Sequence, residues 1–301
     1  MAAAGAEHEV GHRPARLDVT ALLELTAAGP DRFLGTSFPI SPVRVFGGQV
    51  LAQGLIAAAR TIADTKQPHS MHAYFLRAGD PYQPIEYQVE RVRDGRQLSC
   101  RQVSATQGGK PIATMICSLA DTSGGPTHQR RIPPTPPPTQ LPTLVEAVRP
   151  WGGISEQWAE FAALDIRVKP RLIEPGTVVP DPGGVADHVW QRVPVPMPDD
   201  PVLHQAMLLF ASDITQLAAS LVPHGVPLGL DELNGRGWDG VSVDHAMWFH
   251  RPARADEWLL FEQCAPSAGH GRTLTRADVF TADGELVASV AQEGLIRDIA
   301  R

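Results

Sequence analysis

Apolar and polar positions alternate with a period of two along two late stretches, 241–250 (VSVDHAMWFH) and 285–296 (ELVASVAQEGLI). Both are rich in Val, Phe, Trp and Met, are bounded by Pro or Gly, and read as strands. Between them, TADGE at 281–285 is a hairpin signal, because Asp-Gly suits the positive φ values of tight turns. Two polar residues interrupt this meander. Ser242 sits at its mouth, and Gln292 shares a period-two face with Ala288 and Val290. A neutral amide on an apolar face needs a partner or a task, since leaving it unpaired costs about 1–3 kcal/mol.

Upstream, leucine spacing predicts a short helix over 17–28, and DRFLGTSF then reads as a strand ending near Pro39. After Phe46, Gly47 and Gly48, a helix over 48–63 is apolar nearly all round and therefore predicted to be buried. Gly47 and Gly48 at its entrance leave backbone N–H groups bare, where a carbonyl or phosphate oxygen can be held. HSMHAYFLRAG, PIEYQVERVRDGRQLSCRQVSATQ with its Asp-Gly turn at 94–95, and KPIATMICSLA continue as strands. The run 123–143 is Pro-rich and reads as a linker with almost nothing to bury. Beyond it, ALDIRVKPRL and HVWQRVPVP are strands. Asp199 or Asp200 then caps a helix over 202–221 with a spine of Met207, Ala211, Ile214, Leu217 or Ala218, and Leu221.

The two halves superimpose in sequence. Phe75–Arg77 (FLR) matches Phe249–Arg251 (FHR), 174 residues later, and the GKPIA run at 109–113 matches GELVA at 284–288. This predicts an internal duplication: a disordered N-terminus at 1–16, a first repeat at 17–122, the linker at 123–143, a connecting region at 144–179 that starts the second sheet, and a second repeat at 180–301. Each repeat is a long buried helix wrapped by an antiparallel sheet, an α+β arrangement whose two sheets can join edge to edge.

Composition narrows the function classes. The 301 residues are 43% hydrophobic, with 26 basic against 33 acidic residues and a net charge of -7, which argues against a nucleic-acid binder. The start has no apolar run suited to a signal peptide, and no segment reads as a membrane span, so a cytoplasmic protein without a membrane partner is expected. Three separated cysteines, Cys100, Cys117 and Cys264, predict free buried thiols, and no metal-ligand motif is present.

Asp213 interrupts an apolar helix and shares a flank with Leu209, Phe210 and Leu217, so its carboxylate needs a partner. Asp244 and His245 are adjacent strand residues, which point to opposite faces and cannot act as one acid–base unit in a regular strand. No GxSxG elbow exists, which disfavours an α/β-type serine hydrolase.

FGGQVLAQGL, HSMHAYFLRAGD, VERVRDGRQLSCRQV, VDHAMWFHRP and VASVAQEGLIR resemble the motif runs of the type II acyl-CoA thioesterases, the TesB-like family. The resemblance spans roughly 30–120 and 185–298. It implies a double hot-dog fold, hydrolysis of fatty acyl-CoA, no cofactor and a homo-oligomer, dimer or tetramer. The family's catalytic Asp, Thr or Ser, and Gln fall on Asp213, Ser242 and Gln292.

Residue types then suggest a mechanism in which a water is the nucleophile, Asp213 accepts its proton, and Ser242 and Gln292 fix it. Two rivals are a hot-dog enoyl-CoA hydratase, echoed weakly by His69 and His72, and a non-catalytic acyl-CoA-binding protein. Arg77, Lys110 and Arg251 are the candidate cations for the CoA phosphates, with Gly47, Gly48 and His69 as further substrate contacts. Pro68 stands opposite Ser242, and Cys117 opposite Gln292, in the repeat alignment, so a single working site per chain is expected.

Overall fold

A computed structural model describes residues 18–40, 43–62, 65–121, 124–151, 164–168, 187–226, 228 and 238–298. In the first half the elements are α1 (Val19–Leu23), β1 (Leu25–Gly29), β2 (Arg32–Gly35), α2 (Gly47–Ala59), β3 (Gln67–Phe75), β4 (Ile85–Asp94), β5 (Leu98–Gln107) and β6 (Lys110–Ala120). A short α3 (Leu144–Val148) and β7 (Asp165–Val168) lead into the second half: β8 (Asp187–Arg192), α4 (Pro201–Thr215), β9 (Trp238–Ser242), β10 (Asp244–Phe249), β11 (Leu259–Gly269), β12 (Arg272–Thr281) and β13 (Leu286–Asp298).

All strands join one sheet in the order β1-β2-β4-β5-β6-β3-β10-β13-β12-β11-β8-β7, with β9 also on β13. That order is a palindrome of the two repeats. β3 and β10 pair antiparallel at its centre, where His72 faces Ala246. Those two residues are themselves 174 apart, so the sequence offset and the register describe the same pseudo-twofold axis. Joining β3 to β10 hides one edge of each half-sheet and leaves β1 and β7 as the edges of the joined sheet.

Both long helices lie inside the sheet, packed on each other, which is the double hot-dog arrangement. Small residues let them approach closely. A Cβ at Gly48 would stand 2.7 Å from the Phe210 carbonyl oxygen, and the Phe46 and Phe210 rings meet edge to face at 5.1 Å between centroids. Asp200 supplies the α4 N-cap by accepting from the Val202 N–H, with Pro201 at the first helical position.

Several expectations are corrected. The helix expected over 17–28 is the five-residue α1, after which Leu25–Gly29 pairs with β2 as a hairpin. Leucine spacing could not distinguish a turn of helix from an edge strand. The long second helix ends at Thr215 and continues as two 3₁₀ turns, Ala218–Ser220 and Val222–His224. Pro201–His224 is also long and apolar enough to cross a membrane by length and composition alone, but 94% of its most apolar 18-residue stretch is buried inside the protein, which makes it core. Cys117 is buried as expected, whereas Cys100 and Cys264 are only partly covered.

The Pro-rich segment does more than connect. Arg130 lies over the Phe280 ring and pairs with Glu262 and Asp278, the Trp190 indole N–H donates to the Pro136 carbonyl, and Leu141 is buried beside Trp190, Leu260 and Phe280. It straps the outer face of the second half-sheet. Residues 1–16 and the region 169–186 lie outside the described residues.

Candidate active site

Asp213, Ser242 and Gln292 come from α4, β9 and β13 and converge. The Gln292 Nε2 group donates to Asp213 Oδ1 at 3.0 Å and also to Ser242 Oγ, while the Ser242 hydroxyl donates to the same Oδ1 at 3.4 Å. Asp213 is 8% exposed and Gln292 only 1%. Both hydrogens of the Gln292 amide are therefore committed, and its orientation is defined.

A strand irregularity aims Ser242. The register of β13 shifts by one residue where β9 ends and β10 begins, so Val243 is an extra residue between Ser242 and Asp244. In a regular strand Ser242 and His245 would face opposite sides. The bulge turns both inward, a device common beside active sites. The first repeat is bulged at the matching place, between Pro68 and Ser70.

His245 was missed as a site residue because its sequence neighbour Asp244 suggested the wrong pairing. It is fully buried, with Nδ1 3.2 Å from Gln292 Oε1, Nε2 2.9 Å from Ser212 Oγ, and the Asp213 carboxylate 3.9 Å away. Burial pushes the imidazole pKa down, against the opposing pull of Asp213. A neutral ring with its proton on Nδ1 donates to Gln292 Oε1 and leaves Nε2 as an acceptor, which shares the single Ser212 hydroxyl hydrogen with the Leu209 carbonyl oxygen 2.9 Å from that hydroxyl. Asp244 instead accepts from the Glu293 backbone N–H.

The start of α2 completes the site. A Cβ at Gly47 would stand 2.7 Å from Asp213 Oδ2 and 2.8 Å from Phe75 Cζ, so only glycine lets the helix start this close to the carboxylate. No side chain caps that helix, which leaves its first N–H groups and the positive end of its dipole facing the Asp213 region.

Comparison with known proteins decides the family. Residues 37–120 match a family model described as the acyl-CoA thioesterase N-terminal domain, and 166–295 match one described as acyl-CoA thioesterase. Human acyl-coenzyme A thioesterase 8 is 35% identical over 290 residues, covering 93% of this chain and 88% of that protein. A crystal structure of acyl-CoA thioesterase II TesB2 from Mycobacterium marinum is 40% identical with a TM-score of 0.75, covering 93% of this chain and 97% of that one. The chain belongs to the acyl-CoA thioesterase family.

Within this thioesterase the weaker substrate-contact candidates divide. Gly47 lies at the Asp213 carboxylate and Gly48 at the helix crossing. Arg77 follows the end of β3 that reaches Val243, donates to the Pro111 carbonyl, and has exposed Lys110 beside that proline. Arg44, not singled out from sequence, donates to the Gly240 carbonyl at the same end. Arg251 makes the symmetric bond, to the Leu286 carbonyl, at the opposite end of β10. His69 is also at that far end, bonded to Ser118, and His72 points outward against Trp248. Neither Arg251 nor His69 is brought to the Asp213 site. At the first repeat's equivalent place Met71 faces Cys117, both buried, where the second has His245 and Gln292.

Proposed function

We propose that this protein hydrolyses acyl-CoA thioesters with a water positioned by Asp213, Ser242 and Gln292. The observation that carries the reading is the convergence of an amide and a hydroxyl on one carboxylate oxygen, next to an uncapped helix start. No cysteine, lysine or elbow serine is part of this set, so the nucleophile is a water whose proton passes to Asp213 as its oxygen bonds to the thioester carbon. The N–H groups at the start of α2 stabilise the charge that develops on the carbonyl oxygen. When the C–S bond breaks, CoA leaves as a thiolate and takes the proton from Asp213, yielding acid and CoA-SH.

Arg44, Arg77 and Lys110 are the cations proposed for the CoA phosphates, since they lie at the Ser242 end. A fatty acyl chain suits the apolar interior between α2, α4 and the sheet, which supports a role in fatty acid metabolism; a cytoplasmic enzyme is part of the same proposal. A homo-oligomer, dimer or tetramer, is supported by the exposed outward residues Tyr74, Ile116 and Trp248 on the central strands. The separation of His69 and His72 from Asp213 disfavours the hydratase alternative.

The test is incubation with palmitoyl-CoA and a thiol-reactive dye. Hydrolysis releases CoA-SH and colour, whereas binding alone or hydration of an enoyl-CoA releases none. Light scattering in solution checks the oligomer.

A further inference from the structure

The fully buried glutamines of the first repeat are all hydrogen-bonded, as is Gln292 of the second, but three others of the second repeat are not. In the first, Gln49 accepts from the Phe38 N–H and donates to the Thr36 carbonyl. Gln53 donates to the Leu22 and Thr36 carbonyls and accepts from the Tyr87 hydroxyl. Every amide heteroatom is used. In the second, Gln191, Gln216 and Gln263 are just as buried, yet Gln191 Oε1, Gln263 Oε1 and both amide atoms of Gln216 have no hydrogen-bond partner among the described residues.

Gln191 and Gln263 meet at Thr215, and Gln216 adjoins that meeting point along the chain. Gln263 Nε2 donates to Thr215 Oγ1 at 2.6 Å, and Gln191 Nε2 approaches the same atom at 3.4 Å, while Gln216 is the next residue along from Thr215. The Thr215 hydroxyl has one hydrogen, so at least one of the two amides must donate to it and leave its carbonyl oxygen free whichever way the amides are turned. The position 174 residues before Gln263 is Val89, so the polar residue belongs to the second repeat alone. Buried amides left unmatched beside a well-packed core call for a reason.

Their location supplies one. Gln216 lies about one helical turn past Asp213, at the end of α4. Gln263 lies on β11, two strands beyond the Gln292 strand and therefore on the order of 10 Å from it across the sheet. A medium-length acyl chain whose carbonyl is at Asp213 would bring its far end to this cluster. The free groups are mainly carbonyl oxygens with one NH₂, which suits a hydroxyl that both donates and accepts. A carboxylate, which only accepts, would face those oxygens unfavourably.

We propose that the Gln191–Gln216–Gln263 cluster is the distal end of the acyl-binding site and takes a hydroxyl at or near the far end of a medium-length acyl chain. This rests on the thioesterase reading above. A site built to hydrogen-bond a substrate hydroxyl rejects the analogue that lacks it.

The experiment measures kcat/KM of the full chain for decanoyl-CoA, 10-hydroxydecanoyl-CoA and decanedioyl-CoA. The expected result is a preference for the hydroxylated substrate over both others by about 10-fold or more. Gln216→Leu and Gln263→Leu, singly and together, are expected to shift the hydroxy-to-plain ratio toward decanoyl-CoA, with folding followed by thermal melting. A wild-type ratio at or below one, or a preference for decanedioyl-CoA, overturns the proposal while leaving hydrolysis intact. Variants that fold and keep the wild-type ratio also overturn it. Failure to release CoA-SH from any of the three overturns the thioesterase reading instead.

Discussion

Gln292 Oε1 lies 3.2 Å from His245 Nδ1, and this bond decides which way the amide points. With its oxygen held by the imidazole, Gln292 can only present its NH₂ to Asp213 and Ser242. His245 is thus a positioning residue. His245→Leu is expected to lower kcat on the order of 10²-fold through misplacement of the amide, with KM little changed. His245→Asn, which keeps a donor near Nδ1, is expected to recover much of the loss. Steady-state kinetics of the two variants check this; equal kcat for His245→Leu and wild type would sink it.

For the carboxylate and amide themselves, Asp213→Ala and Gln292→Ala are each expected to reduce kcat by roughly 10²–10⁴-fold while the fold is kept. Ser242→Thr keeps the hydroxyl and is expected to remain close to wild type. Full turnover in Asp213→Ala would remove it as the base.

Gly47→Ala tests the close approach of α2. Its methyl group would stand 2.7 Å from Asp213 Oδ2 and 2.8 Å from the Phe75 ring, so either the helix start or the carboxylate must move. A stability loss of about 1–3 kcal/mol is expected from overpacking, together with a fall in kcat larger than any change in KM. Chemical denaturation and kinetics on one preparation separate the two effects; an unchanged kcat would show that the helix start plays no part in the reaction.

Acid should destabilise the protein before its carboxylates protonate. His69, His204, His245 and His250 all have pKa values lowered below the ordinary 6.5, in each case chiefly by burial. Below about pH 6.5 the unfolded chain therefore binds more protons than the native one, and the stability these groups contribute above that pH is lost as pH falls toward their lowered native values. Melting temperature is expected to drop between pH 7 and 5, and less steeply in His245→Met. Identical slopes in the two proteins would exclude His245 as a contributor.

The repeats, the antiparallel meanders and the buried helices were legible because they rest on periodicity and on a 174-residue offset between FLR and FHR. His245 was not. Its true partner lies across the sheet on β13, and it shares a face with Ser242 only because Val243 is an extra residue, which no local pattern records. The role of the 123–143 segment was hidden for a similar reason. Prolines announce an extended chain but say nothing of the Phe280 face that Arg130 and Leu141 cover. Gly47 and Gly48 were visible as a helix entrance; that Asp213 of the other repeat lies against it depends on the start of α2 packing on the C-terminal part of α4.

One reaction centre per chain is the last expectation. Where the second repeat has Ser242, His245 and Gln292, the first has Pro68, Met71 and Cys117, all buried. Proline offers neither a hydroxyl nor an N–H, and thioether and thiol are poor substitutes for an imidazole and an amide. Desolvation also pushes the Cys117 thiol up to about 12, leaving it protonated and unreactive at neutral pH. Cys117→Ala is therefore expected to keep wild-type kcat with a modest loss of stability, while iodoacetamide should label Cys100 or Cys264 before Cys117 in the folded protein. Titration of a non-hydrolysable acyl-CoA analogue by calorimetry should give one site per chain. Two equivalent sites, or loss of turnover in a folded Cys117→Ala variant, would show that the first repeat has kept a chemistry its residues do not suggest.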